Sequence, residues 1–190
     1  MKRRSPAVFF DKDGTLVHDV PYNVDPGKTV FRDDAFAAMR ELSAHGWKLF
    51  IISNQAGIAE GRFRPDEFEA LIRAIRAVLA KNGIALDGFY YCPHHPCAPV
   101  AAYRLACRCR KPGDGMLRRA AREHALDLGR SWMVGDILND MEAGRRAGCR
   151  TILLDVGNET QWRLPPERTP DHRAGTLGDA ADLILSRPRP

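Results

Sequence analysis

Residues 7–15 read AVFFDKDGT: four apolar residues are followed at once by two aspartates that flank a lysine, and then by a glycine. The apolar run predicts a buried strand, and the glycine permits a sharp exit from it. Asp11 and Asp13 are two positions apart, so in an extended segment both could contact one divalent cation. Asp11 could then attack phosphorus with Asp13 as its acid/base partner. Aspartate and glycine also end strands in ordinary turns, and this motif alone fits both interpretations.

The composition is that of a water-soluble globular protein. The 190 residues are enough for a core of ordinary size, and we expect one domain over residues 1–190. No stretch is long and apolar enough to cross a bilayer, and the basic N-terminus lacks the apolar core of a signal peptide. We therefore expect a cytoplasmic protein with no membrane partner. The net charge of +5 fits a mildly basic surface, an anionic substrate or a nucleic-acid partner.

Strand and helix patterns alternate along the chain. Beyond the first strand, the sequence predicts strands over 47–52, 89–91, 132–134 and 151–154, and helices over 34–45, from Pro65 to just before Gly83, over 115–124 and over 140–147. Residues 164–173 are predicted as loop and residues 183–185 as a short edge strand. The order predicts an α/β fold with a doubly wound, mostly parallel sheet, whose ligand site lies beyond the carboxyl ends of the strands.

Polar candidates follow several of these strands. Ser53 and Asn54 offer a hydroxyl and an amide to phosphoryl oxygens, and Asp136 offers an oxygen ligand to a hard cation. Asp140 could orient neighbouring groups, and Lys111 could neutralise a phosphoryl group in transfer. Each residue alone also fits a polar turn, a helix cap or a solvated lysine. Their joint occurrence after successive strands is the stronger signal.

Four of the five cysteines fall between positions 92 and 109. Cys92, His94, Cys107 and Cys109 offer three thiolates and an imidazole, which is a typical ligand set for a closed, structural Zn²⁺ site. The segment between the two pairs has few large apolar residues, too few to order itself, so the ion would order an otherwise irregular loop. Because Cys109 lies two positions before Lys111, zinc would also fix that lysine.

Three further residues bear on this prediction. His95 and Cys97 are alternative zinc ligands, and free cysteines in a flexible loop are the alternative to a metal site. Cys149 follows a predicted helix and is interpreted as a small buried apolar residue.

The ordered motifs resemble those of the haloacid dehalogenase-like phosphohydrolases over roughly residues 7–155. The resemblance implies a Rossmann-like fold in which Asp11 forms an aspartyl-phosphate and Asp13 protonates the leaving oxygen, then activates water. It also implies that Asp11, the Asp13 carbonyl and Asp136 hold Mg²⁺. Ser53 and Lys111 would bind the phosphoryl oxygens.

The zinc loop running into the sequence CRCRKP, together with SNQAGIA at 53–59, is similar to a subgroup of that family, the D-glycero-D-manno-heptose-1,7-bisphosphate 7-phosphatases. The histidinol-phosphate phosphatases carry nearly the same arrangement. The first resemblance implies removal of the 7-phosphate from a phosphorylated sugar, in the supply of nucleotide-activated heptose for bacterial surface polysaccharide. One departure is Ile137, where related chains often carry lysine. Relative to those chains, the resemblance implies a difference either in the local charge around the metal or in the contact with the second phosphate, and the sequence gives no account of which.

No segment is long enough for a large cap domain, and Arg110 is interpreted either as a grip on a second phosphate or as a surface arginine. A polynucleotide 3′-phosphatase has similar motifs, but the zinc loop and the lack of a dense basic stripe make a nucleic-acid partner the weaker hypothesis. A zinc-binding interaction module without catalysis is the alternative of another class. We expect a monomer.

Overall fold

The computed structural model describes residues 4–187 and contains one six-stranded sheet in that range. Its strands are all parallel and lie in the order β3-β2-β1-β4-β5-β6. Strand bounds are β1 (Ala7–Phe10), β2 (Lys48–Asn54), β3 (Gly88–Cys92), β4 (Trp132–Gly135), β5 (Arg150–Leu154) and β6 (His172–Ala174). The chain leaves β1 on one side toward β2 and later returns to its other side as β4. This switch of direction at β1 creates a crevice at the carboxyl ends of the strands.

Helices cover both faces of the sheet. They are α1 (Ala35–Ala44), α2 (Ala56–Ala59), α3 (Pro65–Lys81), α4 (Gly115–Glu123), α5 (Leu138–Ala147) and α6 (Leu177–Leu185). Alternate residues of β1 point to opposite faces: Val8 and Phe10 join the cluster packed with α1, α3 and α6, whereas Ala7 and Phe9 join the cluster packed with α4 and α5. Burial on both faces explains why the strand is a continuous apolar run.

The predicted doubly wound α/β fold is confirmed, and the first five strands and the helices corresponding to α1, α3, α4 and α5 lie where the sequence predicts them, within two residues. Helix α5 begins at Leu138, two residues earlier than predicted. The main-chain N–H of Leu138 donates to Glu159 Oε2 at 2.6 Å, and that of Ile137 donates to Asp140 Oδ2 at 3.4 Å, so side-chain oxygens accept from the free N–H groups of an earlier first turn.

The prediction for the C-terminal region is wrong in two places. Residues 183–185 are not an edge strand but the last turn of α6, and the predicted loop 164–173 runs into the real edge strand β6, where His172 pairs with Ile152. The Thr176 hydroxyl accepts from the N–H of Asp179 at 3.0 Å, and Asp179 Oδ2 accepts from the N–H of Thr176 at 3.1 Å. This reciprocal cap starts a helix that carries the apolar residues 183–185 onto the core.

Two segments rise above the carboxyl edge without forming a cap domain. Residues 15–32 contain one short 3₁₀ turn, Pro26–Lys28, and residues 92–109 contain another, Ala101–Tyr103. Among the described helices, none combines the length and apolar character needed to span a bilayer. That residues 1–190 form a single domain stays a prediction, because residues 1–3 and 188–190 lie outside the described range.

Candidate active site

Two of the predicted site residues, Asp11 and Asp140, meet around Lys111 at the carboxyl edge of the sheet. The ammonium group of Lys111 forms a buried ion pair with Asp11, lies 2.7 Å from Asp140 Oδ1 and donates to the Ile52 carbonyl at 3.0 Å. Only 3% of Lys111 is exposed, and Asp140 is fully buried. The structure thus brings the ends of β1 and β2 and the start of α5 onto one cation.

Asn54, at the end of β2, fixes the main chain of Lys111. The N–H of Lys111 donates to Asn54 Oδ1 at 2.9 Å, and Asn54 Nδ2 donates to the Lys111 carbonyl at 3.0 Å. Besides the predicted contact with phosphoryl oxygens, Asn54 therefore has a positioning role, since its amide holds both polar atoms of one peptide residue.

The electrostatics of this cluster follow from burial. Desolvation raises the pKa values of Asp11 and Asp140, against the opposing attraction of Lys111, and raises the pKa of Asp136 to about 6. Burial by itself would lower the pKa of Lys111, but Asp11 and Asp140 hold it above its usual range. Three buried carboxyl groups thus face one buried ammonium group, a balance that calls for a further positive charge.

The donor set fits Mg²⁺. Asp11, Asp136 and Asp140 each offer an oxygen, and these oxygens lie within 4.8 Å of one another. Asp140 also contacts Lys111. The Asp13 side chain is not part of this group of oxygens, and the contribution predicted for Asp13 is its main-chain carbonyl. Closely grouped oxygen ligands with an unbalanced negative charge are the chemistry that Mg²⁺ prefers.

Gln55 joins two of the predicted site residues. Its Nε2 atom donates to Asp13 Oδ2 at 3.0 Å and to Ser53 Oγ at 2.8 Å, while the other oxygen of Asp13 pairs with the ammonium group of Lys12. The Asp13 side chain is 30% exposed, against 10% for that of Asp11. Asp13 therefore lies closer to solvent, where an acid/base group can exchange protons with water.

Three polar residues at the site were not predicted from the sequence. They are Gln55, Thr15, whose hydroxyl donates to Asp136 Oδ1 at 3.0 Å, and Asn158, whose Nδ2 donates to Asp136 Oδ2 at 2.8 Å. Thr15 and Gln55 belong to motifs already singled out. Asn158 follows β5, and the rule that parallel strand ends share one edge places its loop near the site without indicating that it contacts Asp136.

Two adjoining cavities open at this edge. One, of about 240 Å³, is lined by Asp11, Asp13, Lys111, Asp136 and Asn158 among others. The second, of about 340 Å³, shares Asp13 and Asn54 with the first and is also lined by Arg110. The structure places Arg110 next to the reaction centre, with a donor 3.4 Å from the His94 carbonyl.

The predicted zinc ligands form a second cluster, which we call the sulfur cluster: Cys92, His94, Cys107 and Cys109. The ligand atoms of all four lie within 4.8 Å of one another, with Sγ–Sγ distances of 2.8 to 3.4 Å. Three thiols and one imidazole so close together are compatible with tetrahedral Zn²⁺.

The alternative ligands and the fifth cysteine lie outside the sulfur cluster. His95 Nδ1 accepts from the N–H of Cys97 at 3.3 Å, and the Cys97 side chain is exposed. Cys149 is buried in the core, as predicted. The structure therefore favours the first ligand set over the alternatives.

The sulfur cluster is connected to the active site through two short links. Cys92 ends β3 and pairs in register with Asn54, while Cys109 lies two residues before Lys111. The carbonyl of Arg108, between two of the cysteines, accepts from the N–H of Gly115 at the start of α4 at 2.8 Å. An ion held by these sulfurs would therefore fix the main chain on either side of the lysine.

A doubly wound α/β fold with an aspartate and lysine cluster at its carboxyl edge defines a class of α/β enzymes that act on phosphorylated compounds. The chain belongs to the HAD-like hydrolase family. The family model described as HAD-hydrolase-like matches residues 108–180, and the similarity to individual relatives extends over nearly the whole chain.

Three relatives illustrate this similarity. D-glycero-beta-D-manno-heptose-1,7-bisphosphate 7-phosphatase from Escherichia coli K12 is 42% identical over 98% of this chain and 91% of its own length. The enzyme of the same name from Yersinia pestis is 41% identical over 98% and 99%. A crystal structure of D,D-heptose 1,7-bisphosphate phosphatase from B. bronchiseptica, in complex with magnesium and phosphate, has a TM-score of 0.81 and 29% identity over 95% of this chain and 98% of that one.

Proposed function

We propose that this protein is a Mg²⁺-dependent phosphatase that removes the 7-phosphate of D-glycero-D-manno-heptose 1,7-bisphosphate, acting on the β anomer named for its relatives. The observation that carries the proposal is the buried contact of Asp11 with Lys111, whose ammonium group also contacts Asp140. It supplies a carboxylate nucleophile and, beside it, a fixed positive charge for the phosphoryl oxygens.

In this mechanism an Asp11 oxygen attacks phosphorus and the bond from phosphorus to the sugar oxygen breaks. Asp13 donates a proton to that leaving oxygen and so becomes a base. It then removes a proton from water, which attacks the aspartyl-phosphate and releases inorganic phosphate. The contact between Gln55 and Asp13 keeps the carboxyl group oriented through both steps.

Charge neutralisation comes from several groups. Lys111 and Ser53 would bind the phosphoryl oxygens, with Lys111 held by Asn54 and Asp140. Mg²⁺ held by Asp11, Asp136 and the Asp13 carbonyl would supply Lewis-acid stabilisation of the charge on the phosphoryl group. Phosphoryl transfer depends mainly on such positioning and electrostatic stabilisation, which suits a site built from oriented charges.

The adjoining cavity gives the rest of the sugar phosphate a place to bind. Arg110 lines it and presents planar donors suited to a second phosphate, which agrees with a bisphosphate substrate. Ile137 lines the first cavity and brings no charge there, so recognition of the second phosphate is assigned to Arg110. Zn²⁺ in the sulfur cluster would order the loop that carries Arg110 and Lys111.

The cellular setting is part of the same proposal. We infer a monomeric, cytoplasmic enzyme whose product feeds the nucleotide-activated heptose that the sequence resemblance implies. A small phosphorylated sugar is its substrate, and neither a nucleic acid nor a membrane takes part in the reaction.

The test is phosphate release in the presence of Mg²⁺ from the two anomers of the heptose bisphosphate, from histidinol phosphate and from a 3′-phosphorylated oligonucleotide. The ratio of kcat/KM values should favour the β heptose bisphosphate. Asp11→Asn should lower turnover by on the order of 10⁴-fold or more while the thermal midpoint shows a folded protein, because the nucleophile is lost.

Each alternative outcome would contradict a different part of the proposal. A preference for histidinol phosphate or the oligonucleotide would keep the mechanism and overturn the substrate. Full turnover by Asp11→Asn would overturn the mechanism. Retained binding of a protein partner with no phosphate release from any compound would support the interaction module instead.

A further inference from the structure

Asp136 is held at both of its carboxylate oxygens. The hydroxyl of Thr15 donates to Oδ1 at 3.0 Å, and Nδ2 of Asn158 donates to Oδ2 at 2.8 Å. The side chain is almost fully buried, with 6% of the residue exposed. A carboxylate with one donor on each oxygen has its plane and its remaining lone pairs fixed in direction.

Asn158 reaches Asp136 from a neighbouring strand end. It follows β5, which pairs with β4, and Asp136 directly follows β4. The next residue, Glu159, accepts from the N–H of Leu138 at 2.6 Å and so ties the Asn158 loop to the start of α5. The loop is thereby joined at two adjacent points to the segment that contains Asp136.

Gly14, in the motif after β1, leaves room for the contact between Asp136 and Asn158. A Cβ atom on Gly14 would lie 2.1 Å from Asp136 Oδ2 and 2.6 Å from Asn158 Nδ2, both far inside van der Waals contact. The backbone at Gly14, with a φ of +78°, also favours glycine. Strand ends β1, β4 and β5 therefore converge on the oxygen that Asn158 contacts.

We propose that Asn158 is a positioning residue that orients Asp136 toward the divalent cation. This inference rests on the proposed function, in which Asp136 is a ligand of Mg²⁺. Asn158 and Thr15 are neutral donors, so they orient the carboxylate without pairing its negative charge, in contrast to the ion pairs of Lys111 with Asp11 and Asp140. Hydrogen bonds to a metal ligand from residues that do not themselves contact the metal tune the affinity for the metal.

The test is isothermal titration calorimetry of Mg²⁺ into the zinc-loaded full chain, for the wild type, Asn158→Ala and Asn158→Leu. Leucine matches the amide closely in shape and has no donor. Both variants should bind Mg²⁺ roughly 10–100-fold more weakly, because Asp136 is free to rotate away. At saturating Mg²⁺ their kcat should return close to the wild-type value, since neither substitution removes a group that contacts the substrate in the mechanism.

Asn139→Ala is the matched control. Asn139 is an amide in the first turn of α5 that contacts Arg168 at 3.3 Å rather than Asp136, and its loss should leave Mg²⁺ binding unchanged. Thermal midpoints establish that all variants are folded.

The outcomes separate the two proposals. Mg²⁺ binding by the wild type with equal affinity in both Asn158 variants would overturn the role of Asn158 and leave the proposed function in place. A fall in kcat that persists at saturating Mg²⁺ without a change in affinity would also overturn it. A wild type that binds no Mg²⁺ would overturn both proposals.

Discussion

The carboxylate cluster around Lys111 and the sulfur cluster both group potential metal ligands, but the chain builds them differently. The first brings Asp11, which follows β1, together with Asp136 and Asp140, which lie more than 120 positions later at the end of β4 and in the first turn of α5. The second draws its ligands from residues 92–109, a segment whose only described regular structure after β3 is the 3₁₀ turn Ala101–Tyr103.

The difference shows which site depends on its ion for order. The side chains of the carboxylate cluster are buried and have protein partners, including the Lys111 ammonium group. Cys107 and Cys109 are partly exposed, and among residues 95–106, between the ligand pairs, only Ala98 is buried. We infer that the sheet assembles the carboxylate cluster before metal binds, whereas Zn²⁺ supplies much of the order of the loop.

Among the variants that test this comparison between the two clusters, the largest effect is expected at Lys111. Lys111→Met removes the positive charge for the phosphoryl oxygens, so kcat should fall by about 10²–10³-fold. It also leaves Asp11 and Asp140 buried without their partner, and the free energy of unfolding should fall by about 3–5 kcal/mol. Steady-state kinetics and urea unfolding measure the two effects.

Lys48→Met is the control for this variant. Lys48 pairs with Asp87 at 2.8 Å, but half of its side chain is exposed. The free energy of unfolding should therefore fall by no more than about 1 kcal/mol, and turnover should be unchanged. Comparable losses in the two variants would show that the carboxylate cluster is not the preassembled charge network inferred above.

A smaller effect is expected when the sulfur cluster is broken. Cys109→Ser should weaken zinc binding, loosen residues 92–109 and shift Lys111, which lies two residues away. Misplacement of a catalytic group by about 1 Å can cost on the order of 10²-fold, and we expect a loss of kcat of about 10–100-fold. Zinc content and the rate of tryptic cleavage at Arg104 and Arg108 report on the loop independently of activity.

Cys97→Ser provides the matched comparison. Cys97 lies in the same loop but outside the sulfur cluster, and its side chain is exposed. This variant should keep its zinc, its resistance to trypsin and its activity. Loss of zinc on substitution of Cys97 would mean that the alternative ligand set is the correct one.

The same contrast explains what the sequence could predict. Strands such as β1 are short apolar runs buried on both faces, and the polar residues that follow them must meet at one edge, so the positions of Asp11 and Asp136 followed from the strand pattern. The close spacing of the cysteines in sequence likewise predicted the sulfur cluster. In both cases a local pattern carried the information.

What could not be predicted depends on contacts between distant residues. The apolar triplet 183–185 fits a strand or a helix, and only the cap between Thr176 and Asp179 decides between them. Asn158 belongs to no recognisable motif, and its role depends on β5 lying beside β4. The pairing of the Asn54 amide with the main chain of Lys111 joins residues that are 57 positions apart.

The smallest of the expected effects concerns the hydrogen bonds between the Asn54 amide and the main chain of Lys111, which join the two clusters. Asn54→Ala removes both hydrogen bonds to the Lys111 main chain, and kcat should fall about tenfold, as expected for the loss of roughly 1–2 kcal/mol of positioning. Asn82→Ala, which removes an amide that caps the end of α3 by bonding the Val78 carbonyl at 2.9 Å, should leave kcat unchanged.

The double variant Asn54→Ala/Cys109→Ser then tests whether the strand end and the sulfur cluster act on the same residue. If both hold Lys111 in place, losing the second anchor costs little once the first is gone, and the combined loss in kcat should be clearly less than the product of the single losses. Losses that multiply would mean that the sulfur cluster affects turnover by another route, such as the placement of Arg110 in the adjoining cavity. Because Cys92 pairs in register with Asn54 while Cys109 precedes Lys111, the geometry favours the shared anchor.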